Sequence, residues 1–255
     1  MASSCRPRSS APPKAGLAPH LTGLVLDAAC ATARRMREAG FTVPVSVNLS
    51  RRQLLDGDVV ARLRASIGND LSGALQVEVG EPVLAGDDPR VTATLTAIAA
   101  LGVAVVVDDV GRGVSSLRAL ARVRPRMVKI DATLTRDLPG SQDASAIVSA
   151  IVALGKIVGA QVVGEGIETD AQARALRALG CEALQGYYYG HALPADEWIA
   201  YLRWACTAVV GTDGPTALQP VMSPATTTRR ERRGMPKMPG AIIAGSRVVV
   251  GRFRS

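Results

Sequence analysis

A chain of 255 residues that is 47% hydrophobic and 20% charged can bury a large core, which excludes a disulfide-held mini-protein and disorder throughout. Aromatic residues are only 3%, so the core is built from Val, Leu, Ile and Ala. The net charge of +8 sits at the ends: residues 1–20 carry three basic residues and no acid, and residues 205–255 carry eight basic against two acidic. The body between them is nearly neutral, which argues against a nucleic-acid groove on the folded part.

Residues 1–20 are rich in Ser, Pro and Arg and read as a disordered lead, without the apolar stretch of a signal peptide. A helix is expected over Leu21–Ala39, followed by a strand over Val43–Leu49 and a helix over Arg51–Ile67. The same alternation then recurs, with strands at Leu75–Val79, Val103–Asp108, Met127–Asp131, Gln161–Glu165 and Ala183–Tyr188. Helices are expected after them at Pro89–Leu101, Ser115–Val123, Ala144–Val158, Ala171–Leu179 and Asp196–Trp204. The uncharged run Val91–Val107 is broken by Gly102 and runs into Asp108-Asp109, so it reads as a helix and a strand rather than a membrane span. Cys5, Cys30, Cys181 and Cys206 lie far apart with no Cys-x-x-Cys pair, which fits a reducing, cytoplasmic setting.

Strict strand-then-helix alternation with runs such as Val-Ala-Val-Val-Val predicts an α/β fold whose parallel sheet is buried on both faces. Asn48, Glu78, Asp108, Asp109, Lys129, Glu165 and Gln185 fall in or at the carboxyl ends of different strands. A (β/α) barrel gathers such positions at one mouth, whereas an open sheet spreads them along an edge. There is no GxGxxG after the first strand and no Walker lysine loop, and the barrel is the expected architecture.

Side chains alternate across a strand, so Lys129 and Asp131 share one face and Ile130 takes the other. Glu78, between Val77 and Val79, cannot point into the helix layer without a large burial cost and should face the barrel axis. Glu78, Asp108, Asp109 and Glu165 then converge with Lys129 as the only nearby cation. Two like charges about 4 Å apart repel by roughly 4 kcal/mol at an effective dielectric near 20, so such a cluster calls for bound cations or raised pKa values. Oxygen ligands with an amide from Asn48 suit Mg2+ or Mn2+, and His20 and His191 lie outside the cluster, which disfavours zinc. Two such ions sharing a carboxylate make a hydrolytic phosphodiesterase site. One acid at a strand end is ordinarily a solvated residue or helix cap; it is the joint pattern across five strands that points to metal.

In this order and spacing VNLS at 47–50, VEVGE at 77–81, DDVGRGVSSL at 108–117, KID at 129–131, GEGIET at 164–169 and QGYY at 185–188 resemble the EAL domain, the bacterial cyclic di-GMP phosphodiesterase. The resemblance covers about residues 22–204. It implies two-metal hydrolysis of cyclic di-GMP to the linear dinucleotide pGpG. Asn48, Glu78, Asp108 and Asp109 match metal ligands, with Asp108 as the bridge. Lys129 matches the residue that contacts the nucleophilic water, Glu165 a ligand or general base, and Gln185 a supporting polar group. Glu81 matches the glutamate that holds the loop after Asp109.

The chain departs from the family in several places. The Glu-Ala-Leu strand that names it, and the arginine that follows, have no counterpart ahead of Asn48. The expectation is therefore a truncated barrel, with six strands where eight belong and two open edges that invite aggregation, a homodimer or a partner chain. The family's Phe, Thr and Tyr in DFGTGY are Val110, Arg112 and Val114, and Gly80 replaces a Thr. The alternative is a non-catalytic module that senses cyclic di-GMP or docks a protein. The expected organisation is a lead over 1–20, an incomplete EAL-like barrel over 21–206 and a basic, disordered tail over 207–255. Within the tail, Ala241–Ala244 and Arg247–Val250 flank Gly245-Ser246 as a hairpin would, and such a hairpin could cover an open edge without adding an acid. Arg229, Arg230, Arg232 and Arg233 read as part of a solvated tail. Trp198 and Trp204, six residues apart, are not on one helical face at i+3 or i+4, so no stacking platform is expected.

Overall fold

The computed structural model describes residues 17–68, 70–113, 117–190, 192–210, 241–244 and 247–250. In chain order the elements are α1 (Leu17–Glu38), β1 (Val45–Asn48), α2 (Arg51–Leu55), α3 (Val59–Ile67), β2 (Leu75–Gly80), α4 (Glu81–Leu84), α5 (Pro89–Ala100) and β3 (Ala104–Val110). These are followed by α6 (Leu117–Val123), β4 (Met127–Ile130), α7 (Ala132–Arg136), α8 (Gln142–Val158), β5 (Gln161–Gly164), α9 (Asp170–Ala178), β6 (Ala183–Leu184) and α10 (Ala195–Val210). Two short strands, β7 (Ala241–Ala244) and β8 (Arg247–Val250), come last. Strands β1 to β6 pair in sequence order, all parallel. The six do not close on themselves: β7 lies antiparallel on β6, β8 antiparallel on β7, and β8 meets β1 at the single pair Val45↔Val250.

Strand alternation divides the core in two. Val45, Val47, Val77, Val79, Val105, Val107, Val128, Ile130 and Val162 face the helices and join one large cluster with Leu26, Leu63, Leu95, Val148 and Leu176. Val106, Met127, Val163 and Ala183, on the opposite faces of β3 to β6, form a separate small cluster inside the sheet's curve. That inner layer is the floor on which the polar side chains one step further along the strands rest.

Helix starts follow capping chemistry. Ser50 with Gln53 and Thr169 with Gln172 form capping boxes at α2 and α9, and Asp88, Asp131 and Ser141 accept backbone hydrogen bonds at α5, α7 and α8. Several expectations are corrected. The helix read over Arg51–Ile67 is two, broken where Gly57 takes φ +72° and Asp58 precedes α3. The strand read over Ala183–Tyr188 stops at Leu184, because Gly186 lies so close to Ile167 that a Cβ there would sit 2.1 Å from its carbonyl oxygen. The strand read to Asp131 ends at Ile130, and Asp131 caps α7, accepting from the Thr133 backbone and hydroxyl. Helix α1 begins at Leu17 inside the expected lead, α10 runs to Val210, and β7 and β8 stand within the stretch read as a disordered tail. Trp198 and Trp204 do belong to one aromatic ladder, joined through Tyr201 with ring centroids 5.4 and 5.8 Å apart. Val114 and His191, the Arg229–Arg233 cluster and Cys5 lie outside the described residues. Cys30 and Cys181 are buried and free, and burial pushes the Cys181 thiol up to about 12. Among the described residues no helix is long and apolar enough to cross a membrane.

Candidate functional site

Parallel strands end at the same side of the sheet, so the last inward positions of β2, β3 and β4 and the residue following β5 meet there. They are Glu78, Asp108, Lys129 and Glu165, all buried. The ammonium of Lys129, 1% exposed, lies 3.2 Å from Glu78 Oε2 and 3.6 Å from Asp108 Oδ1 and pairs directly with Glu165. Burial is the largest influence on this amine and disfavours its charge. Glu78, Glu165 and Asp108 together outweigh it and hold the ammonium above the ordinary lysine range. One buried cation thus faces three carboxylates.

Adjacent strand residues normally point to opposite faces, yet Asp108 and Asp109 both reach the site. The β3–β4 register shifts between Val107 and Val110, a bulge-like irregularity, and Asp109 takes the left-handed conformation at φ +57°. The Asp109 amide donates to Asp108 Oδ1. As a result one carboxylate oxygen from each of Asp108, Asp109 and Glu165 lies within 4.8 Å of the others. Three oxygen donors this close, with further oxygens alongside, suit a hard divalent cation.

Glu81 opens α4 and is 3% exposed. Its Oε2 accepts from the backbone amides of Gly111 and Gly113, both at 3.1 Å, and so ties down the loop that follows Asp109. Gly111 sits at φ +100°, where a Cβ would come 2.5 Å from Leu134, so this loop has little freedom to repack. Removing two charge-assisted bonds costs about 1.5–3 kcal/mol each when measured singly. Glu81→Ala is accordingly expected to lower the urea midpoint and to raise hydrogen exchange at Gly111 and Gly113 while leaving β5 protected.

The remaining expected residues are placed less tightly. Asn48 pairs in register with Glu78 but is exposed, since β1 is the edge of the six-strand sheet. Gln185 donates its backbone amide to Gly164 O, and its Oε1 is buried with no hydrogen-bond partner in the described structure. The tripeptide Glu182-Ala183-Leu184 spells Glu-Ala-Leu, but Glu182 is exposed and precedes β6, at the opposite end of the strand from the cluster. Sequence reasoning missed the buried pair Ser46 and Gln76, on the inward faces of β1 and β2 one step below Asn48 and Glu78, joined by a 2.6 Å hydrogen bond from Gln76 Nε2. The signal was there: both are polar residues alternating with valine or leucine.

A family model for the EAL domain matches residues 9–192. The bifunctional diguanylate cyclase/cyclic di-GMP phosphodiesterase MucR of Pseudomonas aeruginosa is 37% identical over 190 residues, covering 73% of this chain and 28% of that protein. The chain therefore spans less than a third of that relative. The solved MucR phosphodiesterase in complex with cyclic di-GMP matches with a TM-score of 0.68 at 36% identity, covering 72% of this chain and 76% of that one. The EAL domain of Mycobacterium smegmatis DcpA matches with a TM-score of 0.69 at 30% identity, covering 75% and 88%. Klebsiella pneumoniae BlrP1 in complex with manganese and cyclic di-GMP matches with a TM-score of 0.57 at 26% identity, covering 66% and 43%. With its carboxylates and lysine gathered at the ends of a parallel sheet, and with these matches across most of its length, the chain belongs to the EAL domain family.

Proposed function

We propose that this chain binds cyclic di-GMP at the carboxylate mouth and hydrolyses one of its phosphodiester bonds to linear pGpG, dependent on Mg2+ or Mn2+. The observation that carries this reading is the convergence of Asp108, Asp109 and Glu165 within 4.8 Å beside the buried Lys129. It is supported by the cyclic di-GMP named with MucR and the manganese named with BlrP1.

In this reading Asn48, Glu78, Asp108 and Asp109 would hold the metal, with Asp108 the most central of these donors. The ions, when bound, polarise the phosphoryl oxygens and make hydroxide accessible near neutral pH. Glu165 supplies a further ligand or accepts the proton of the attacking water. Lys129 donates a hydrogen bond toward that water and offsets negative charge on the phosphoryl oxygens. Gln185, with its spare amide oxygen, orients groups at the rim, and Glu81 keeps the Asp109 loop in place.

The test is incubation of the purified chain with cyclic di-GMP and Mn2+, following linear product by chromatography. Product that forms with Mn2+ and disappears with EDTA supports the proposal. Nucleotide binding by calorimetry without any turnover would replace hydrolysis by the sensing role, and absence of both would overturn the site altogether.

A further inference from the structure

The sheet of β1 to β6 ends in two edges, and an exposed edge strand offers unpaired N–H and C=O groups to any passing chain. The structure assigns an occupant to that gap: we propose that β7 and β8 act as an intramolecular plug, closing the sheet's two open edges within one molecule. This inference does not depend on the catalytic reading.

Four observations support it. First, the strands pair with both edges: Ala183↔Ala244 and Leu184↔Ile243 on β6, and Val45↔Val250 on β1. The anchorage is unequal, with two pairs on β6 against one on β1, so β6 is the seat and β1 the latch. Second, Ala-Ile-Ile-Ala and Arg-Val-Val-Val have the β-branched composition of strands, and Gly245-Ser246 is a two-residue connection of the kind that makes tight hairpins. The two strands make four pairs with each other.

Third, the two edges are already held near one another from outside. On α10, Trp198, Ile199, Tyr201 and Leu202 pack with Met36 at the end of α1 and with Phe41 and Val43, which lead directly into β1. Arg35 of α1 pairs with Asp196 of α10. The segment that follows β6 therefore bridges the gap before the chain turns back to fill it. Fourth, reach is ample: α10 spans about 24 Å at 1.5 Å per residue, whereas the thirty residues 211–240 extend to roughly 100 Å.

The plug supplies backbone pairing and adds no metal-binding carboxylate, because residues 241–255 contain no acid. It gives the fold an edge guard of its own.

The test uses the full-length chain with Leu184→Cys and Ile243→Cys, in a background where Cys5 and Cys206 are serine. Directly opposed residues on antiparallel strands are close enough for a disulfide. Mild oxidation is expected to join the peptides holding positions 184 and 243 within monomeric chains, with loss of both introduced thiols. The pair Leu184→Cys with Ile242→Cys, out of register, should retain its thiols. Separately, Ile243→Pro, which removes a ladder N–H, should speed hydrogen exchange at residues 45–48 and 183–185 and promote self-association, with helical content unchanged. Absence of the 184–243 link together with unaltered exchange at both edges would overturn the proposal. A link found only between two molecules would overturn it in favour of strand swapping.

Discussion

Replacing Lys129 with methionine should lower the free energy of unfolding by about 3–5 kcal/mol, the range for breaking a buried ion pair and leaving charge uncompensated. Methionine fills a similar volume, so the loss reports charge and not a cavity. What remains is Glu78, Asp108 and Glu165 around a neutral side chain, with Asp109 beside them. An exposed pair would lose only about 0–1 kcal/mol on the same change, so urea denaturation separates the two cases. The lysine's folded value is raised above its ordinary one, so its contribution is fully present below that ordinary value and is lost only as pH rises through the folded one. The deficit of the variant should thus be flat between about pH 7 and pH 10. Millimolar Mn2+ should recover part of it, because a divalent ion can stand where the ammonium stood. A deficit in the exposed-pair range, insensitive to Mn2+, would mean that the lysine is not the counterion of the cluster.

The strands were legible because valine runs bounded by glycine and polar residues leave few other readings, and β2, β3 and β5 end within two residues of their expected limits. Where the reading failed, a tertiary contact or a local cap overrode the pattern. Apolar periodicity continues from Leu55 to Val59 across Asp56-Gly57-Asp58, so nothing in the period announces the break between α2 and α3. The close approach of Gly186 to the Ile167 backbone joins residues 19 positions apart and is invisible in either segment. Alternation places Glu78 and Lys129 inward, whereas the strand ends at Ile130 and the carboxylate of Asp131 is engaged as the cap of α7 through Thr133. It also gives no account of how Asp109 joins Asp108. That depends on a register shift and a left-handed residue, and strand periodicity assumes neither. The hydrogen bonds from Gly111 and Gly113 to Glu81 join partners about thirty residues apart, which no local pattern in either segment announces.

Asp108→Asn is the substitution expected to cost most in activity, and its effect should separate from stability. Asparagine keeps an Oδ1 that can still accept from the Asp109 amide, so the irregular turn at the end of β3 persists. It removes the negative charge from the most central of the proposed metal donors. Altering partners that merely support metal ligands typically costs 10–100-fold, so turnover with Mn2+ should fall by at least about 100-fold here. Binding also reports itself through folding: a ligand at 100 times its dissociation constant stabilises the native state by about 2.7 kcal/mol. The parent chain should therefore show a melting temperature that climbs with the logarithm of Mn2+ concentration above its dissociation constant, and Asp108→Asn should lose that rise. The same change weakens repulsion within an over-acidic cluster, so the metal-free variant should melt no lower than the metal-free parent. If it melted lower while keeping its Mn2+ response, Asp108 would be a partner of Lys129 in the fold and not a ligand. The central ligand role would then have to pass to Asp109, whose strained backbone would have no other purpose on view.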